Sequence, residues 1–354
     1  MMLVTADDST GSTEAGAACA DAGWIVDVVP ITAPSARARP DCNCTVIDLR
    51  SRHAAPDEAR RRIAASTSVA HRVHKIDSTL RGNWPAELAA LVDAGRRVVL
   101  IASHPRAGRV CVHGVVYVNG IPVAESELGD DPRLPVRSSR PLDSMTGAGM
   151  TGAEVACTEV AAPDEFVAWL ATSDSGVAIV DATTIEEIEE LVAIALHPAD
   201  VVLSGPASVV EAVARLCAPG GSSAVLPDPL LPSPIVVVCA SLHPVSRVQI
   251  EMVAAAGIDV VTSSELRRDD SELVARDVAE RARQIVSARQ ARSVILVGGD
   301  TAEAFIGDSV VRVFGSIDAG VSLGDAEIGG RTLRIAGKPG GFGTANTLVD
   351  LVTR

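Results

Sequence analysis

Short runs of β-branched residues alternate along the chain with longer segments in which apolar residues recur at helical spacing. For example, GVAIVDA at 176–182 predicts a buried strand, and TTIEEIEELVAIAL at 183–196 predicts a helix with an acidic first turn. The alternation continues through DVVLSG and PASVVEAVARLC, and after residue 234 through PIVVVCAS, IDVVTS and SVILVGGD, with helices near 244–256 and 271–290. Strands that alternate with helices of this length indicate βαβ units. The sequence therefore predicts an α/β protein with mainly parallel sheets flanked by helices.

A proline-rich stretch marks the predicted domain boundary. LPDPLLPSP at 226–234 carries four prolines in nine residues, which favours extended chain over helix. We therefore predict an amino-terminal domain at 1–228, a linker at 229–233 and a carboxy-terminal domain at 234–354. The segment 118–145 is too polar and proline-rich for a core, which predicts a flap or a long crossing loop.

The composition excludes several classes of protein. The formal net charge of −14 argues against a nucleic-acid partner, because a phosphate backbone calls for a basic face. No apolar run approaches the roughly 18 residues of a membrane span, and the amino terminus does not resemble a secretory signal. The closest two of the seven cysteines, Cys42 and Cys44, lack metal-ligand spacing, which favours reduced thiols. We expect a cytoplasmic protein that binds neither nucleic acid nor membrane, with a composition that permits a homodimer without requiring one.

Two adjacent acids follow the first predicted strand. Asp7 and Asp8 come directly after MMLVTA, and the Ser and Thr residues behind them open a helix predicted to run to about Gly23. One of the two acids could cap that helix. A cap explains only one acid, however, and a neighbouring cation, a metal or a polyhydroxy substrate would explain both.

Charged residues also cluster in HKIDSTLRGN, after another predicted strand. Lys75, Asp77, Ser78 and Arg81 lie within seven positions, at the strand end where parallel sheets usually bind ligands. A lysine and an arginine that bracket an aspartate suit an anionic ligand, since arginine can hold a carboxylate through two parallel hydrogen bonds. A surface salt-bridge cluster at a helix start is the alternative.

A third cluster, ASHPRAGRV, begins at residue 102 after the predicted strand RRVVLI. Arg106 and Arg109 flank a glycine-containing turn and could contact an anion. His104 precedes a proline and is more typical of a turn residue than of a general base, so it is not among the predicted catalytic residues.

Two glycine-rich loops lie between strands and helices in the carboxy-terminal domain. VGGDTAEAF at 297–305 and AGKPGGFGTAN at 336–346 place backbone N–H groups and helix amino termini where phosphate can bind. Neither is a Walker A loop, because Pro339 follows Lys338 where that pattern requires Ser or Thr. Tight turns and helix caps, which need glycine for its backbone alone, are the alternative.

Together these motifs resemble the four-carbon acid sugar kinase family. The matching segments occur in family order over nearly the whole chain: ADDSTG, KIDSTLRGN, HPRAGR, GVVYVNGIPVAES, GGDTA and GKPGGFG. The resemblance implies an amino-terminal domain that binds the sugar acid, a carboxy-terminal domain that binds ATP, and an active-site cleft between them. It also implies transfer of the γ-phosphoryl group of ATP, with Mg²⁺, to the terminal hydroxyl of threonate, erythronate or a 3-oxo-tetronate.

The resemblance gives the motif residues expected roles. Asp8 and Asp77 are the candidate catalytic acids, one of which would accept the proton of the attacking hydroxyl. The predicted ligands of the sugar acid are Asp7, Lys75, Ser78, Arg81 and Arg109. The predicted nucleotide ligands are Ser241, Gly298, Gly299, Asp300, Thr301, Gly337, Lys338, Gly340, Gly341 and Gly343.

The chain departs from the family pattern at three positions. Ser9 stands where the family usually has a hydrophobic residue, and Ala240 stands where it usually has glycine. Pro339 replaces a small residue after the lysine of the second glycine loop. A methyl group at Ala240 could crowd a nucleotide. These departures leave open a non-catalytic sensor of the sugar acid or nucleotide. An ATP-dependent ligase acting on the carboxylate also stays open, because it would use similar phosphate loops.

Overall fold

A computed structural model describes the chain over 1–33, 38–66, 71–131, 133–146, 157–160, 162–220, 226–228, 230–263 and 271–353. Helices and strands alternate over most of this length. In chain order they are β1 (Met2–Ala6), α1 (Ser9–Asp21), β2 (Val26–Pro30), β3 (Cys44–Asp48), α2 (Pro56–Ser66), β4 (His71–Lys75), α3 (Trp84–Asp93), β5 (Arg97–Leu100), β6 (Arg109–Val112), β7 (Val115–Val118), β8 (Ile121–Pro122), α4 (Pro141–Thr146), β9 (Cys157–Val160), α5 (Pro163–Thr172), β10 (Gly176–Val180), α6 (Ile185–Ala195), β11 (Val201–Gly205), α7 (Ala207–Leu216), β12 (Ile235–Cys239), α8 (Pro244–Ala255), β13 (Asp259–Thr262), α9 (Ser271–Ala288), β14 (Ser293–Val297), α10 (Gly299–Ile306), β15 (Val311–Asp318), β16 (Val321–Ile328), β17 (Arg331–Lys338) and α11 (Thr347–Thr353).

The predicted α/β class is confirmed, and so is the βαβ alternation from residue 176 onward. The strand and helix predicted at 176–196 are β10 and α6, and the later strands and helices follow in the predicted order as β11 through β14. The first turn of α6 shows why the sequence forms a helix there. Thr184 accepts a hydrogen bond from the backbone N–H of Glu187, and the Glu187 side chain returns one to the backbone of Thr184, which is a capping box.

The chain divides into two compact units, each described here by itself. The first comprises 1–7 and 46–219, and the second comprises 8–45 and 220–354. In the first unit the strands run in the order β1-β4-β11-β5-β10-β9, and each neighbouring pair is parallel. Parallel pairing brings the carboxyl ends of the strands to one edge, where Ala6 and Gly205 both lie opposite Lys75.

Helix α3 packs its apolar face into the core of the first unit, where Trp84, Leu88 and Leu91 are fully buried. The segment 118–145 also contributes to this core, because Val123 and Met145 are almost completely buried within the same cluster. The prediction that 118–145 lies outside the core is therefore wrong. Its few apolar residues are widely spaced among prolines and charges, so no periodic pattern revealed them.

The sheet of the second unit is half parallel and half antiparallel. Strands β13, β12, β14 and β17 form parallel pairs, whereas β17, β16, β15 and β2 form antiparallel ones. The antiparallel hairpin of β16 and β17 turns at Gly329 and Gly330, which both have positive φ angles (58° and 75°). Two consecutive residues of positive φ are typical of the tight turn that joins antiparallel strands.

Residues 8–45 belong to the second unit, although the sequence placed them in a domain that ends at residue 228. Val28 of β2 lies opposite Val311 of β15 in an antiparallel pair. A β-carbon on Gly16 of α1 would lie 3.1 Å from the Val313 side chain, so the helix packs closely on the same strand. The predicted linker at 229–233 begins at Pro229, which lies outside the described residues. Within the part of the chain that the structure describes, no helix is long and apolar enough to cross a membrane.

Candidate active-site residues

In the first unit, Asp7 lies at the carboxyl end of β1 and is only 1% exposed. The guanidinium of Arg52 donates two hydrogen bonds to its carboxylate, from Nε to Oδ2 at 2.7 Å and from Nη2 to Oδ1 at 2.8 Å. The backbone N–H groups of Ser51 and Arg52 donate to the Asp7 carbonyl. The fold thus holds this buried acid as an ion pair with a nearby arginine.

The sequence prediction missed Arg52, which lies in the loop after β3. Its Nη2 also comes within 3.8 Å of Asp77 Oδ1, so one guanidinium links two predicted site acids. The loop carries the sequence LRSRH directly after the run CTVID, which forms β3. The rule that ligands bind at the carboxyl ends of parallel strands could have found it.

Asp77 and Arg81 form a second, bidentate ion pair. Arg81 Nε donates to Asp77 Oδ2 and Arg81 Nη2 to Oδ1, each at 3.0 Å, and the Thr79 hydroxyl also donates to Oδ2. Burial would raise the pKa of Asp77, but the guanidinium charges of Arg81 and Arg52 outweigh it and hold that pKa well below its usual range. A carboxylate so strongly stabilised is a weak proton acceptor. Asp77 is therefore better suited to orienting Arg81 than to general base chemistry.

Lys75, Ser78 and Arg81 are brought to the same strand end. Lys75 is the last residue of β4 and is 5% exposed, while the residues that follow it turn toward α3. Ser78 is half-buried in that turn. The third nitrogen of Arg81, Nη1, lies 3.5 Å from Asp131 Oδ2, so all of the guanidinium faces acids of the protein.

Arg109 differs from the two arginines above. It begins β6, its Nη1 donates to the Ala107 carbonyl, and its Nε is buried without a hydrogen-bond partner. Among the described residues it forms no ion pair, and burial lowers its pKa. The neighbouring Arg106, in contrast, pairs with Glu211 on the surface, with 2.7 Å between Nη1 and Oε2. Arg109 is therefore the cation of this loop that is available to a ligand anion.

In the second unit, Asp8 caps α1, and its Oδ1 accepts a hydrogen bond from the Gly11 N–H at 2.9 Å. The interpretation that one acid of the pair is a helix cap is thus confirmed. Its other oxygen approaches α10, because a β-carbon on Gly299 would lie only 2.6 Å from Asp8 Oδ2. The same β-carbon would lie 3.5 Å from Thr10 Oγ1, which is buried without a partner. The absence of a side chain at Gly299 lets the amino termini of two helices converge on Asp8.

The predicted nucleotide residues lie at the carboxyl ends of β12, β14 and β17, which are neighbours in the sheet. Gly298 caps α10 with a φ of 96°, and its N–H donates to the Lys338 carbonyl at 2.8 Å. The Thr301 hydroxyl accepts from the Ala240 N–H at 3.0 Å. Gly337 lies within β17, opposite Leu296 of β14. The remaining predicted residues of this unit lie in the strand-end loops or in the first turn of α10: Ser241, Gly299, Asp300, Gly340, Gly341 and Gly343.

A phosphate ligand must present its ammonium group at the surface of the loop, and Lys338 does not. The side chain is completely buried, and Nζ donates to the carbonyls of Pro339, Gly340 and Phe342 at 2.7, 3.2 and 2.6 Å. Within the described residues it has no carboxylate partner, and burial lowers its pKa to about 8. The ammonium group therefore points into the protein behind the glycine loop.

The family departures at Ala240 and Pro339 are accommodated locally. Ala240 donates its N–H to Thr301, and its carbonyl accepts from the Ser263 hydroxyl at 3.2 Å. The carbonyl of Pro339 accepts from Lys338. Both residues therefore take part in the hydrogen bonding of the strand-end loops.

Comparison with known protein families agrees with this arrangement. Residues 2–213 match the model of a sugar-binding N-terminal domain, and residues 236–348 match that of a nucleotide-binding C-terminal domain. The chain belongs to the four-carbon acid sugar kinase family. The two matches leave 214–235 between them, which includes the whole proline-rich stretch at 226–234.

Named relatives are found among kinases of four-carbon acids. A D-threonate kinase of Bordetella bronchiseptica is 27% identical over 401 residues, which covers 98% of this chain and 95% of the relative. A D-threonate kinase of Salmonella typhimurium is 38% identical over 148 residues, but the match spans only 34% of its length. Among solved structures, a Bordetella bronchiseptica domain of unknown function, a domain-swapped dimer with bound citrate, aligns with a TM-score of 0.51. It is 25% identical, with 98% of this chain and 96% of the other covered.

Proposed function

We propose that this protein is an ATP-dependent kinase that transfers the γ-phosphoryl group to the terminal hydroxyl of a four-carbon sugar acid. Threonate is the first candidate substrate because the long-matching relative is a D-threonate kinase, and erythronate and 3-oxo-tetronates are further candidates. One observation carries most of the proposal. In one unit, the half-buried Arg109 lies near Asp77 and has a buried Nε without a hydrogen-bond partner, while the other unit carries glycine loops at the ends of two adjacent strands, β14 and β17.

We assign Arg109 to the carboxylate of the sugar acid. Arg52 and Arg81 are already bound to Asp7 and Asp77 through paired hydrogen bonds, so an incoming carboxylate would have to displace a protein acid from either. Arg109 needs no such displacement. A substrate carboxylate there would supply the buried Nε with the acceptor that it lacks within the described protein.

The hydroxyl groups of the substrate are assigned to the polar residues beside these ion pairs. Carboxylates such as Asp7 and Asp77 have more acceptor positions than their arginines occupy, so each can accept a further hydroxyl. Lys75 and Ser78 add donors at the same strand end. Held in place by the arginines, the acids form a rigid acceptor surface, as positioning of a small polyol requires.

The phosphates of ATP are assigned to the second unit. The first turn of α10, which opens at Gly298, presents backbone N–H groups and the positive end of the helix. Gly340, Gly341 and Gly343 add a second set of backbone N–H groups. Phosphoryl transfer depends mainly on positioning and charge neutralisation, which such loops provide.

Asp8 and Thr10 fit a Mg²⁺ ion that accompanies ATP. Both present oxygen atoms, the ligands that Mg²⁺ prefers, and the Thr10 hydroxyl is buried without a hydrogen-bond partner beside Gly299. A bound Mg²⁺ would neutralise phosphate charge. It would also remove the repulsion between the Asp8 carboxylate and the anionic phosphate beside it.

Of the two candidate catalytic acids, we retain Asp8 and reassign Asp77. Asp8 lies against α10, the helix assigned to the phosphates of ATP, where negative charge shifts during phosphoryl transfer. Asp77 is ionised and engaged by Arg81, so we assign it to positioning that arginine and the substrate.

The proposal is tested by ADP release from the purified protein with Mg-ATP over a panel of four-carbon sugar acids, with five- and six-carbon acids as controls. Turnover on one or two four-carbon acids supports the kinase. Tight binding of an acid without turnover would support the sensor instead. AMP release with an amide or thioester product would support the ligase.

A further inference from the structure

Three carbonyl groups of the glycine loop after β17 point inward. The carbonyls of Pro339, Gly340 and Phe342 accept hydrogen bonds from the buried Lys338 Nζ. Two residues of α8 supplement this lysine. Ser246 Oγ donates to the Gly340 carbonyl at 2.5 Å, and Gln249 Nε2 donates to the Phe342 carbonyl at 3.1 Å.

Peptide geometry then fixes the direction of the amides. In a planar trans peptide the C=O of one residue and the N–H of the next point in opposite directions. Inward carbonyls at 339, 340 and 342 therefore turn the N–H groups of Gly340, Gly341 and Gly343 outward. None of these three amides donates a hydrogen bond within the described part of the chain. Gly341 and Gly343 are exposed, and Gly343 has a φ of 88°, which strongly favours glycine.

We propose that Lys338 is a positioning residue that builds an anion cradle from the amides of Gly340, Gly341 and Gly343 for the phosphates of the nucleotide. This inference rests on the proposed nucleotide site and changes the role of its lysine. Lys338 acts through the loop carbonyls and does not touch phosphate. Its three N–H donors match the three carbonyls, which a methionine of similar length cannot replace.

The charge of Lys338 also contributes to the cradle. A buried ammonium without a carboxylate nearby is unfavourable by itself. An anion on the outer side of the loop would compensate that charge, and the positive potential behind the amides would strengthen its binding. The residues therefore combine outward amide dipoles with a positive charge behind them.

The test compares Lys338→Met and Ser246→Ala with the wild-type protein in binding of ATP and of inorganic pyrophosphate. We expect Lys338→Met to raise both dissociation constants at least tenfold. Ser246→Ala, which removes one carbonyl partner, should raise them about fivefold, the effect of about one neutral hydrogen bond. Ser246→Thr, which keeps the hydroxyl, should restore binding.

Arg283→Met is the matched control in the same unit. Arg283 is also a cation that donates to backbone carbonyls, those of Ala304 and Phe305 at the far end of α10. Its loss should lower the melting temperature without changing either dissociation constant. If Arg283→Met weakened pyrophosphate binding as much as Lys338→Met, a general loss of stability would explain both and the inference would fail.

A second measurement separates this inference from the proposed function. Pyrophosphate should shift the ¹⁵N–¹H resonances of Gly340, Gly341 and Gly343 in the wild-type protein and leave them unshifted in Lys338→Met. Unshifted resonances in the wild type would overturn the cradle, whether or not the protein is a kinase. Shifted resonances without any phosphoryl transfer would keep the cradle and overturn the kinase. Should Lys338→Met not fold, unchanged pyrophosphate binding in Ser246→Ala would overturn the inference.

Discussion

At the scale of single residues, the arginines of the first unit fall into two kinds. Arg52 and Arg81 each hold an acid through two hydrogen bonds, whereas Arg109 has no ion pair among the described residues. This difference is what assigns Arg109 to the substrate. Sequence alone showed only that Arg81 and Arg109 follow predicted strands, and it did not identify Arg52.

Arg109→Met should therefore raise KM for the sugar acid more than it lowers kcat. A hydrogen bond to a charged group contributes about 1.5–3 kcal/mol, which corresponds to roughly tenfold to 150-fold in KM. Steady-state kinetics with the best acid of the panel measure this. Arg106→Met is the matched control, because that neighbour pairs with Glu211 at the surface and should leave KM unchanged. Equal effects of the two substitutions would contradict the assignment.

Asp77→Asn should lower the free energy of unfolding at pH 7 by up to about 3 kcal/mol, the low end for a broken buried ion pair, because Arg81 is partly exposed. The folded-state pKa of Asp77 lies well below the unfolded value of about 3.8, so its stabilisation is present above that value. The stabilisation is lost as the pH falls toward the folded-state pKa. Urea unfolding between pH 3 and 7 should therefore show the wild type and the variant converging at acid pH.

The control for this prediction is Asp93→Asn, which breaks the more exposed pair of Asp93 with Arg60. Such pairs contribute at most about 1 kcal/mol, so this variant should unfold nearly as the wild type does. A constant difference between Asp77→Asn and the wild type at every pH would show that Asp77 is not ionised as described.

Lys338 gives a pH dependence to nucleotide binding. Burial lowers its pKa to about 8, while the thiol of Cys239, the titratable group that faces it, has a pKa raised by its own burial. A neutral amine has only two N–H donors for three carbonyls, so the affinity for ATP should fall as the pH rises through about 8. The free energy of unfolding should rise with pH between about 8 and 10.5, because there the unfolded chain retains a proton that the folded chain has lost.

Calorimetric titration of ATP from pH 7 to 9.5 measures the predicted loss of affinity. The same titration with Lys338→Met should give a weak affinity that does not change over this range. An unchanged wild-type affinity up to pH 9.5 would contradict the described role of the lysine.

At the scale of secondary-structure elements, the close approach of α1 and α10 is the feature with a mechanistic consequence. Gly299→Ala would place a methyl group 2.6 Å from Asp8 Oδ2, so the carboxylate must move from its position at the helix start. We expect kcat to fall at least tenfold, of the size seen when a charged catalytic contact is displaced. Circular dichroism checks that the variant is folded, and a wild-type kcat in a folded variant would contradict the role of Asp8.

The elements also show how far the sequence could predict the fold. The regions with clear helical periodicity between buried strands, such as α6 between β10 and β11, were predicted because local pattern and capping agree there. The antiparallel hairpins of β15, β16 and β17 were missed, although Gly329 and Gly330 are a turn signal. The buried residues of 118–145 could not be found, because burial of Val123 and Met145 depends on distant packing.

The sequence predicted the candidate site only in part, because motifs locate residues at strand ends but do not give the direction of their side chains. Strand-end motifs identified Asp7, Asp77 and Arg81, and the structure brings these residues together with Arg52. The direction of a side chain is not encoded in a motif. Lys338 matched the expectation for a phosphate ligand in type and place, yet its ammonium group points to carbonyls inside the loop.

At the scale of the whole molecule, the proposed function assigns one substrate to each compact unit. The first unit contains the cations and acids suited to a sugar acid, and the second contains the glycine loops suited to ATP. The formal net charge of −14 makes local cations such as Arg109 and Lys338 stand out against an acidic protein. Under the proposed function, anionic substrates would therefore depend on these local charges and not on the overall field, with Arg109 in direct contact and Lys338 acting through the loop amides.

The most direct test of the account is ³¹P and ¹³C NMR of the products that the purified protein forms from D-threonate and Mg-ATP. The account predicts ADP together with a phosphate monoester on the terminal carbon of the acid, and no product when Asp8 is replaced by Asn. An acyl phosphate or a pyrophosphate product would contradict the assigned reaction, as would the absence of any phosphorylated four-carbon acid across the panel.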